Sequence, residues 1–92
     1  MKNTGKEELE ILRKKIDNID EEIVSILAKR MHLSEKIGKY KAEHGIEIHQ
    51  EDRFAEVLNH VMREAEKQKI SAECICAIYK VIHIESKKLQ IN

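Results

Sequence analysis

The chain of 92 residues contains no proline and no tryptophan, and it has only three glycines. Aromatic residues make up 3% of the chain, whereas charged residues make up 37%. Proline and glycine are the residues that most often interrupt helices, and the remaining composition is rich in Glu, Lys, Ile and Leu. The sequence therefore predicts an all-α protein, and its length predicts a single domain spanning residues 1–92.

Other missing features exclude whole classes of protein. Lys and Arg together number 17, as do Asp and Glu, so the net charge is near zero, whereas dedicated nucleic-acid-binding proteins are usually basic. No apolar run approaches the roughly 20 residues of a membrane span, and Met1–Lys6 lacks the apolar stretch of a signal peptide. A disulfide between Cys74 and Cys76 is disfavoured, because their spacing places them on different sides of a helix. We therefore expect a cytoplasmic protein that binds neither nucleic acid nor membrane.

Three segments are predicted to form helices. The first runs from about Lys6 to His44, and Gly45 is a natural stop after it. The second runs from about Gln50 to Gln68. The third runs from about Ala72 to Gln90 and follows Ser71, a residue type favoured as an N-cap. The apolar faces predicted for the second and third helices consist of Phe54, Val57, Leu58, Val61, Met62 and Ala65, and of Ile75, Ile78, Tyr79, Ile82 and Leu89.

The first helix carries an apolar stripe along its length, in steps of three and four residues. At 1.5 Å per residue this helix is on the order of 55 Å long, whereas a compact domain of this size has a radius of gyration of about 12 Å. Two shorter helices cannot cover such a stripe, so we expect a homodimeric helical bundle in which the first helices pack together. The stripe consists of Leu9, Leu12, Ile16, Ile19, Ile23, Ile26, Leu33, Ile37 and Tyr40.

Two cations interrupt this stripe. At 100° per residue, a nearly straight line on the helix is formed by Arg30, Ser34, Ile37 and Lys41. Cations on a core-facing stripe with no acid on the same line indicate an anionic ligand from outside the chain. Arg30 and Lys41 are about 16 Å apart along the axis, which leaves room for a small molecule bearing carboxylates. Arg13 lies about 25 Å from Arg30, so it can reach such a pocket only in the partner of an antiparallel helix pair.

Each of these cations also has an ordinary structural interpretation. Arg13 and Lys41 could be solvated side chains that lie over apolar surface. Arg30 could pair with an acid of a partner chain. Arg53, in the first turn of the second helix, could form an ordinary helix pair with Gln50 or Glu56. These alternatives stay open on the spacing alone.

The polar residues of the third helix admit two interpretations as well. Ser86 and Gln90 stand four residues apart on one face, with His83 in line before them. They could contribute to the same pocket, or they could be exposed filler near a helix end. The five histidines and two cysteines lack the spacing of metal ligands, so we expect no metal site.

Several short motifs, taken in order, resemble those of the all-α chorismate mutase family. Residues 12–20 read LRKKIDNID, which is similar to the family's opening motif, L-R-x-x-I-D-x-I/L-D. Residues 26–30 read ILAKR, similar to LLAxR, and residues 37–41 read IGKYK, similar to I/V followed by GxxK. The match continues through Asp52-Arg53 to Ser86 and Gln90 without a gap. Each motif alone has little specificity, but their order and spacing together are specific.

The resemblance implies a fold, a reaction and a site. It implies an intertwined homodimer of three-helix chains with two shared active sites that convert chorismate, a small dianion, into prephenate without metal or cofactor. In each site Arg13 from the partner chain would hold substrate carboxylates together with Arg30 and Arg53. Lys41 and Gln90 would donate hydrogen bonds to the ether oxygen of the breaking C–O bond. The product lies on the route to phenylalanine and tyrosine.

Further residues are expected to line the same pocket, and two of them depart from the family pattern. The family usually has Glu directly after the Arg of the second helix, where it accepts a hydrogen bond from the ring hydroxyl, and this chain has Phe54. Asp is common three residues before that Arg, and this chain has Gln50. Phe54 could instead turn into the core, with Gln50 taking over the hydroxyl. The residues expected to line the pocket are Ser34, Ile37, Gln50, Phe54, Val57, His83 and, on the carboxylate side, Ser86.

Two other functions stay open. Relatives that act on other ring substitutions also lack the Glu, so an isochorismate pyruvate lyase, or a mutase acting on a chorismate analogue, is the second hypothesis. A non-catalytic helical dimerisation module, or a regulatory module that binds a ligand without turnover, is a third. Arg30 and Lys41 on the stripe argue against a plain coiled coil, which would have Leu or Ile at those positions.

Overall fold

The computed structural model describes residues 5–91, and it contains all three predicted helices. Helix α1 spans Gly5–His44, α2 spans Glu51–Lys67 and α3 spans Ala72–Ile91. The part of the chain that the structure describes contains no β-strand. The helix bounds lie within one residue of the predicted ones, which confirms the all-α fold class. The start of the chain, for which we expect no signal peptide, lies partly outside the described residues.

Helix α1 ends in the manner that Gly45 predicts. Gly45 has a φ of +64°, and the N–H of Ile46 donates a hydrogen bond of 2.9 Å to the carbonyl oxygen of Lys41. A left-handed residue followed by this six-to-one hydrogen bond is the Schellman termination, which glycine adopts without a steric cost. The chain therefore turns sharply at the end of α1 and enters the connector 46–50.

Helix α2 ends with the same six-to-one hydrogen bond but without a glycine. The N–H of Ile70 donates to the carbonyl oxygen of Ala65 at 2.9 Å, and the N–H of Lys69 donates to that of Glu66 at 3.1 Å. Lys69 occupies the left-handed position, with a φ of +59°. A residue with a Cβ pays about 1–2 kcal/mol to adopt this conformation. Lys69 is therefore a strained position between α2 and α3.

Helix α3 begins at the predicted cap. The N–H of Cys74 donates a hydrogen bond of 3.2 Å to Oγ of Ser71, so the serine satisfies one of the N–H groups of the first turn that lack a partner within the helix. The prediction that Ser71 is the N-cap is confirmed. The short connection from Gln68 to Ser71 returns the chain so that α3 packs against α2.

The contact between α2 and α3 contains the buried apolar residues. Ala65 and Ile82 are 3% and 7% exposed, and the other residues of the predicted α2 face are half-buried. On α3, Ile75 and Tyr79 are half-buried as predicted, but Ile78 is exposed, so its prediction as an inward residue is wrong. Three residues on a helix turn through about 300°, which places Ile78 roughly 60° from Ile75 and at the edge of the stripe.

The chain divides into two compact units, Met1–Arg30 and Met31–Asn92, and the division falls within α1. The first unit holds most of the apolar stripe of α1, and none of these side chains is buried in the single chain. Their exposed fractions range from 44% to 63%. The residues concerned are Leu9, Leu12, Ile16, Ile19, Ile23 and Ile26. None of the three helices, within the described residues, has both the length and the apolar character to cross a membrane.

Candidate active site

Within the second unit, α1 presents three buried residues to α3, and none of them is a large apolar side chain. They are Ser34, Gly38 and Lys41, which follow one another at intervals of four and three residues on one face of the helix. Ile37, predicted to lie on this line, is instead about half exposed. Gly38 takes its place because a residue without a Cβ allows the backbone of α3 to come close.

Lys41 is the central charged residue of this face and is 9% exposed. Its Nζ donates hydrogen bonds to Oε1 of Gln90 at 2.8 Å and to the carbonyl oxygen of Ile48 at 3.0 Å. The interpretation of Lys41 as a solvated side chain is therefore wrong. Both acceptors are neutral, so these bonds satisfy hydrogen-bond donors without cancelling the positive charge. A buried ammonium in this state attracts an anion or a developing negative charge.

The bond with Lys41 also fixes the orientation of the Gln90 amide. A lysine ammonium can only donate, so Gln90 must turn its oxygen towards Nζ. The amide NH2 of Gln90 is attached to the same carbon as this oxygen, so its two N–H donors lie near the ammonium without bonding it. An ammonium and an amide NH2 held together in this way form a compact group of donors between α1 and α3.

The two serines of the predicted site form a buried contact between the same helices. Oγ of Ser34 donates to Oγ of Ser86 at 3.1 Å, and Oγ of Ser86 lies 3.8 Å from Sδ of Met31, to which it donates. Both serines are buried. The interpretation of Ser86 as exposed filler is wrong, because its hydroxyl packs against α1.

Phe54 and His83 form a stacked pair between α2 and α3. Their ring centroids are 3.8 Å apart and their planes differ by 12°. Both residues are half-buried, as is Val57 on the next turn of α2. His83 precedes Ser86 by three residues and Gln90 by seven, so all three share one face of α3. His83 is therefore the first residue of a line of polar side chains on α3, and Phe54 covers its ring.

Arg53 and Gln50 lie on the exposed side of the start of α2. Nη1 of Arg53 is 3.5 Å from Oε1 of Glu56, an exposed ion pair that matches the ordinary interpretation of this residue. Gln50 is the N-cap residue of α2 but makes no capping hydrogen bond with its side chain. An open cleft of about 700 Å³ lies beside them, and its carboxylates outnumber its cations. Its lining consists of Glu47, His49, Gln50, Glu51, Asp52, Arg53 and Glu56.

The two remaining predicted cations belong to the first unit. Arg13 is exposed and pairs with Glu10 on its own helix, with Nη1 and Oε1 3.1 Å apart. Arg30 is half-buried. The described residues contain no group of three or more His, Cys, Asp or Glu side chains that could hold a metal ion.

Three contacts of the site were not predicted from the sequence. They are the close approach of Gly38 to α3, the carbonyl oxygen of Ile48 as a second acceptor for Lys41, and the hydroxyl–sulfur contact of Ser86 with Met31. One signal in the sequence could have pointed to the first of them. Small residues at positions 34 and 38 are four apart on one helix, a spacing that allows another helix to approach closely.

The sequence and fold of this chain are similar to those of known proteins. The chain is 41% identical over 69 residues to a T-protein of Haemophilus influenzae, which covers 75% of this chain and 18% of that protein. It is 26% identical over 84 residues to a chorismate mutase of Methanocaldococcus jannaschii, which covers 91% of this chain and 85% of that protein. The chain thus spans only about a fifth of the length of the first of these relatives.

A solved structure and a family model also match this chain over most of its length. A conserved hypothetical protein from Pyrococcus furiosus superimposes with a TM-score of 0.72 at 34% sequence identity, over 96% of this chain and 99% of that one. The model of the chorismate mutase type II family matches residues 12–91, which include every residue of the predicted site. The chain belongs to the chorismate mutase type II family.

Proposed function

We propose that this protein is a chorismate mutase, an isomerase that converts chorismate into prephenate by an intramolecular Claisen rearrangement. Membership of the chorismate mutase type II family supports the assignment. The observation that carries it is the buried ammonium of Lys41, which donates to two neutral acceptors, the amide oxygen of Gln90 at 2.8 Å and the carbonyl oxygen of Ile48 at 3.0 Å. Within this proposal the enzyme works in the cytoplasm, in the synthesis of phenylalanine and tyrosine.

The rearrangement requires hydrogen-bond donors at one oxygen atom of the substrate, and Lys41 and Gln90 can supply them. In the rearrangement a C–O bond breaks while a C–C bond forms, and negative charge develops on the ether oxygen. Donors fixed in advance at that oxygen stabilise the transition state more than the ground state. The hydrogen bonds to Gln90 and Ile48 occupy two of the three N–H groups of Lys41, so a third can serve the ether oxygen beside the NH2 of Gln90. The reaction needs neither a nucleophile nor a proton relay.

The two carboxylates of the substrate need cations of their own. We assign this role to Arg30 and Arg53, with Arg13 contributed by the partner chain. The present ion pairs of Arg13 and Arg53, with Glu10 and Glu56, lie in solvent. Exposed pairs of this kind are worth little, so a guanidinium can exchange its partner for a substrate carboxylate at small cost.

The same proposal includes an obligate homodimer with shared sites. Among the described residues, Ala65 and Ile82 are the buried apolar ones, which is a small core for a chain of this length. The stripe from Leu9 to Ile26 is 44–63% exposed. A second copy is the occupant that best fits this stripe, because two identical stripes bury each other along their whole length. Arg13 lies within the stripe's range and would be carried to the partner's site.

The deciding experiment identifies products. The pure protein is incubated separately with chorismate and with isochorismate, and the products are separated and identified by mass spectrometry. Prephenate from chorismate supports the proposal. A dimeric protein that binds chorismate without converting it would overturn the enzymatic assignment in favour of a regulatory module.

Phe54 favours a second candidate, an enzyme acting on an analogue of chorismate. Its ring stacks on His83 at 3.8 Å and offers no acceptor for a ring hydroxyl. A substrate with a different ring substitution would lose less binding energy from the missing acceptor at Phe54. Release of pyruvate from isochorismate, with no prephenate formed from chorismate, would identify the lyase instead.

A further inference from the structure

Helices α1 and α3 approach each other closely at Gly38. A Cβ added to Gly38 would lie 2.5 Å from Cα, 2.6 Å from the carbonyl oxygen and 3.0 Å from the carbonyl carbon of Gln90. All three are backbone atoms, so no side-chain rotation could relieve the contact. Even alanine at this position would therefore force α3 to move away from α1.

The residue that Gly38 touches is the one whose side chain bonds Lys41. Lys41 follows Gly38 by one helical turn, and its Nζ reaches Oε1 of Gln90 at 2.8 Å. Hydrogen bonds of this kind weaken once the two heavy atoms are more than about 3.2 Å apart. The distance between the two backbones at Gly38 thus determines whether the amide of Gln90 reaches the ammonium.

The contact one turn earlier also lacks large side chains. Oγ of Ser34 and Oγ of Ser86 are 3.1 Å apart, and both residues are buried. The two helices therefore stay close from Ser34 to Lys41. Glycine destabilises a helix interior relative to alanine, so its presence in the middle of α1 calls for a local reason.

We propose that Gly38 is a positioning residue, whose missing Cβ sets the α1–α3 distance at which the amide of Gln90 meets the ammonium of Lys41. The geometric part stands on the contacts alone, whereas the catalytic consequence rests on the proposed function. Gly5 provides a matched control, because it lies in the same helix and a Cβ added there meets nothing within 4 Å.

The first test is spectroscopic and does not depend on turnover. The side-chain NH2 resonances of Gln90 are assigned in the wild-type protein and in Lys41→Met, which defines the signal of an amide that has lost its donor. In Gly38→Ala we expect these resonances to move towards their positions in Lys41→Met, and in Gly5→Ala we expect them to stay in place. Unchanged Gln90 resonances in a folded Gly38→Ala protein would overturn the proposal.

The second test asks whether Gly38 acts through Gln90. A displacement of about 1 Å can cost on the order of 10²-fold in rate, so Gly38→Ala should lower kcat by about that factor, with a smaller change in KM. In a Gln90→Ala background the same change should cost less than about threefold, because coupled residues are not additive. An equal loss in both backgrounds would assign Gly38 to the fold in general and would overturn the proposal.

Two further outcomes are distinguished by the design. If Gly38→Ala is unfolded at the assay temperature, both measurements are repeated with Lys69→Gly added for stability, and failure to fold there also overturns the proposal. If the wild-type protein converts no substrate, the proposed function fails, while the Gln90 resonances still decide whether Gly38 positions the amide.

Discussion

Lys41 and Gln90 are 49 residues apart in the sequence, yet Nζ of one and Oε1 of the other are joined by a hydrogen bond of 2.8 Å. The bond links the last turns of α1 and α3, and it holds a cation against a neutral amide. A carboxylate in place of the amide would neutralise the ammonium and leave less field for a substrate. The neutral partner therefore keeps the lysine both oriented and attractive to negative charge.

Loss of Lys41 should affect the transition state more than substrate binding. Removing one donor from a developing negative charge typically costs about 10²–10³ in rate. Lys41→Ala should therefore lower kcat by that order in a folded protein, with a smaller change in KM. The matched control is Lys39→Ala, an exposed lysine on the same helix, which should leave kcat unchanged. An unchanged kcat with a raised KM in Lys41→Ala would assign Lys41 to uniform binding.

Arg13 should act in the site of the partner chain. Arg13→Ala and Lys41→Ala should each be inactive as homodimers, but refolding them together should restore part of the activity. A mixed dimer has one site with both residues intact, so about half of the mixed dimers' sites should work. Mixing Lys41→Ala with Gln90→Ala is the control, because both of its sites are damaged. Mixed dimers with no more activity than this control would show that Arg13 serves its own chain.

The apolar stripe of α1 should hold the dimer together. Sedimentation at micromolar concentration should show two chains per particle. Ile19→Asp places a charge on the stripe and should abolish the dimer together with most of the helical signal, because little stable monomer is expected. Lys14→Asp, on the opposite side of α1, should remain dimeric. A well-folded wild-type monomer at this concentration would contradict both the dimer and the shared site.

Lys69→Gly should stabilise the protein. Lys69 has a φ of +59°, and glycine removes the steric cost of that conformation but loses more chain entropy on folding. The net gain should be about 0.5–1 kcal/mol, or about 2–8 °C in Tm for a domain of this size. Thermal melts at matched protein concentration measure it. Lys67→Gly, inside the last turn of α2, should lower Tm instead, and a lowered Tm in Lys69→Gly would refute the argument from strain.

Phe54→Glu should separate the candidate substrates. For a chorismate mutase, the new carboxylate would accept a hydrogen bond worth roughly 0.5–1.5 kcal/mol, which is a few-fold to about tenfold in kcat/KM. For an isochorismate lyase, the same change should bring no gain with isochorismate. Because Phe54 is half-buried, we expect a loss of stability of about 0.5–1.5 kcal/mol from the broken stack with His83. A loss of several kcal/mol in a thermal melt would mean that Phe54 serves mainly as a core residue.

The sequence predicts the helices of this fold well, because their boundaries depend on local chemistry. Gly45 and Ser71 end and begin helices through contacts with their near neighbours. The faces that pack are predicted less well. Ile37 was expected on the line of Ser34 and Lys41, but Gly38 occupies it, because the approach of α3 selects the residue with no side chain. Such a selection depends on two segments at once, and the periodicity of the apolar residues does not reveal it.

The candidate site also has parts that the sequence predicts and parts that it does not. Lys41 stands out in the sequence because it is a cation on an apolar stripe, and Gln90 stands out only through the resemblance to a family. Their hydrogen bond, and the hydrogen bond from Lys41 to the carbonyl oxygen of Ile48, could be found only from the folded structure. The left-handed conformation of Lys69 was also beyond prediction, since a lysine carries no preference for it and the hydrogen bonds around it impose it.

Lys41 is tied to the connector after α1 by two separate hydrogen bonds. Its carbonyl oxygen accepts from the N–H of Ile46, and its Nζ donates to the carbonyl oxygen of Ile48. The amide hydrogens of residues 46–50 should therefore exchange with solvent faster once the side chain is removed, even without substrate. Since the connector leads directly into α2 at Glu51, a change at Lys41 alters the starting point of the helix that carries Arg53. The rate lost in a Lys41 variant then combines a missing donor with a loosened approach to α2, and hydrogen exchange can separate the two contributions.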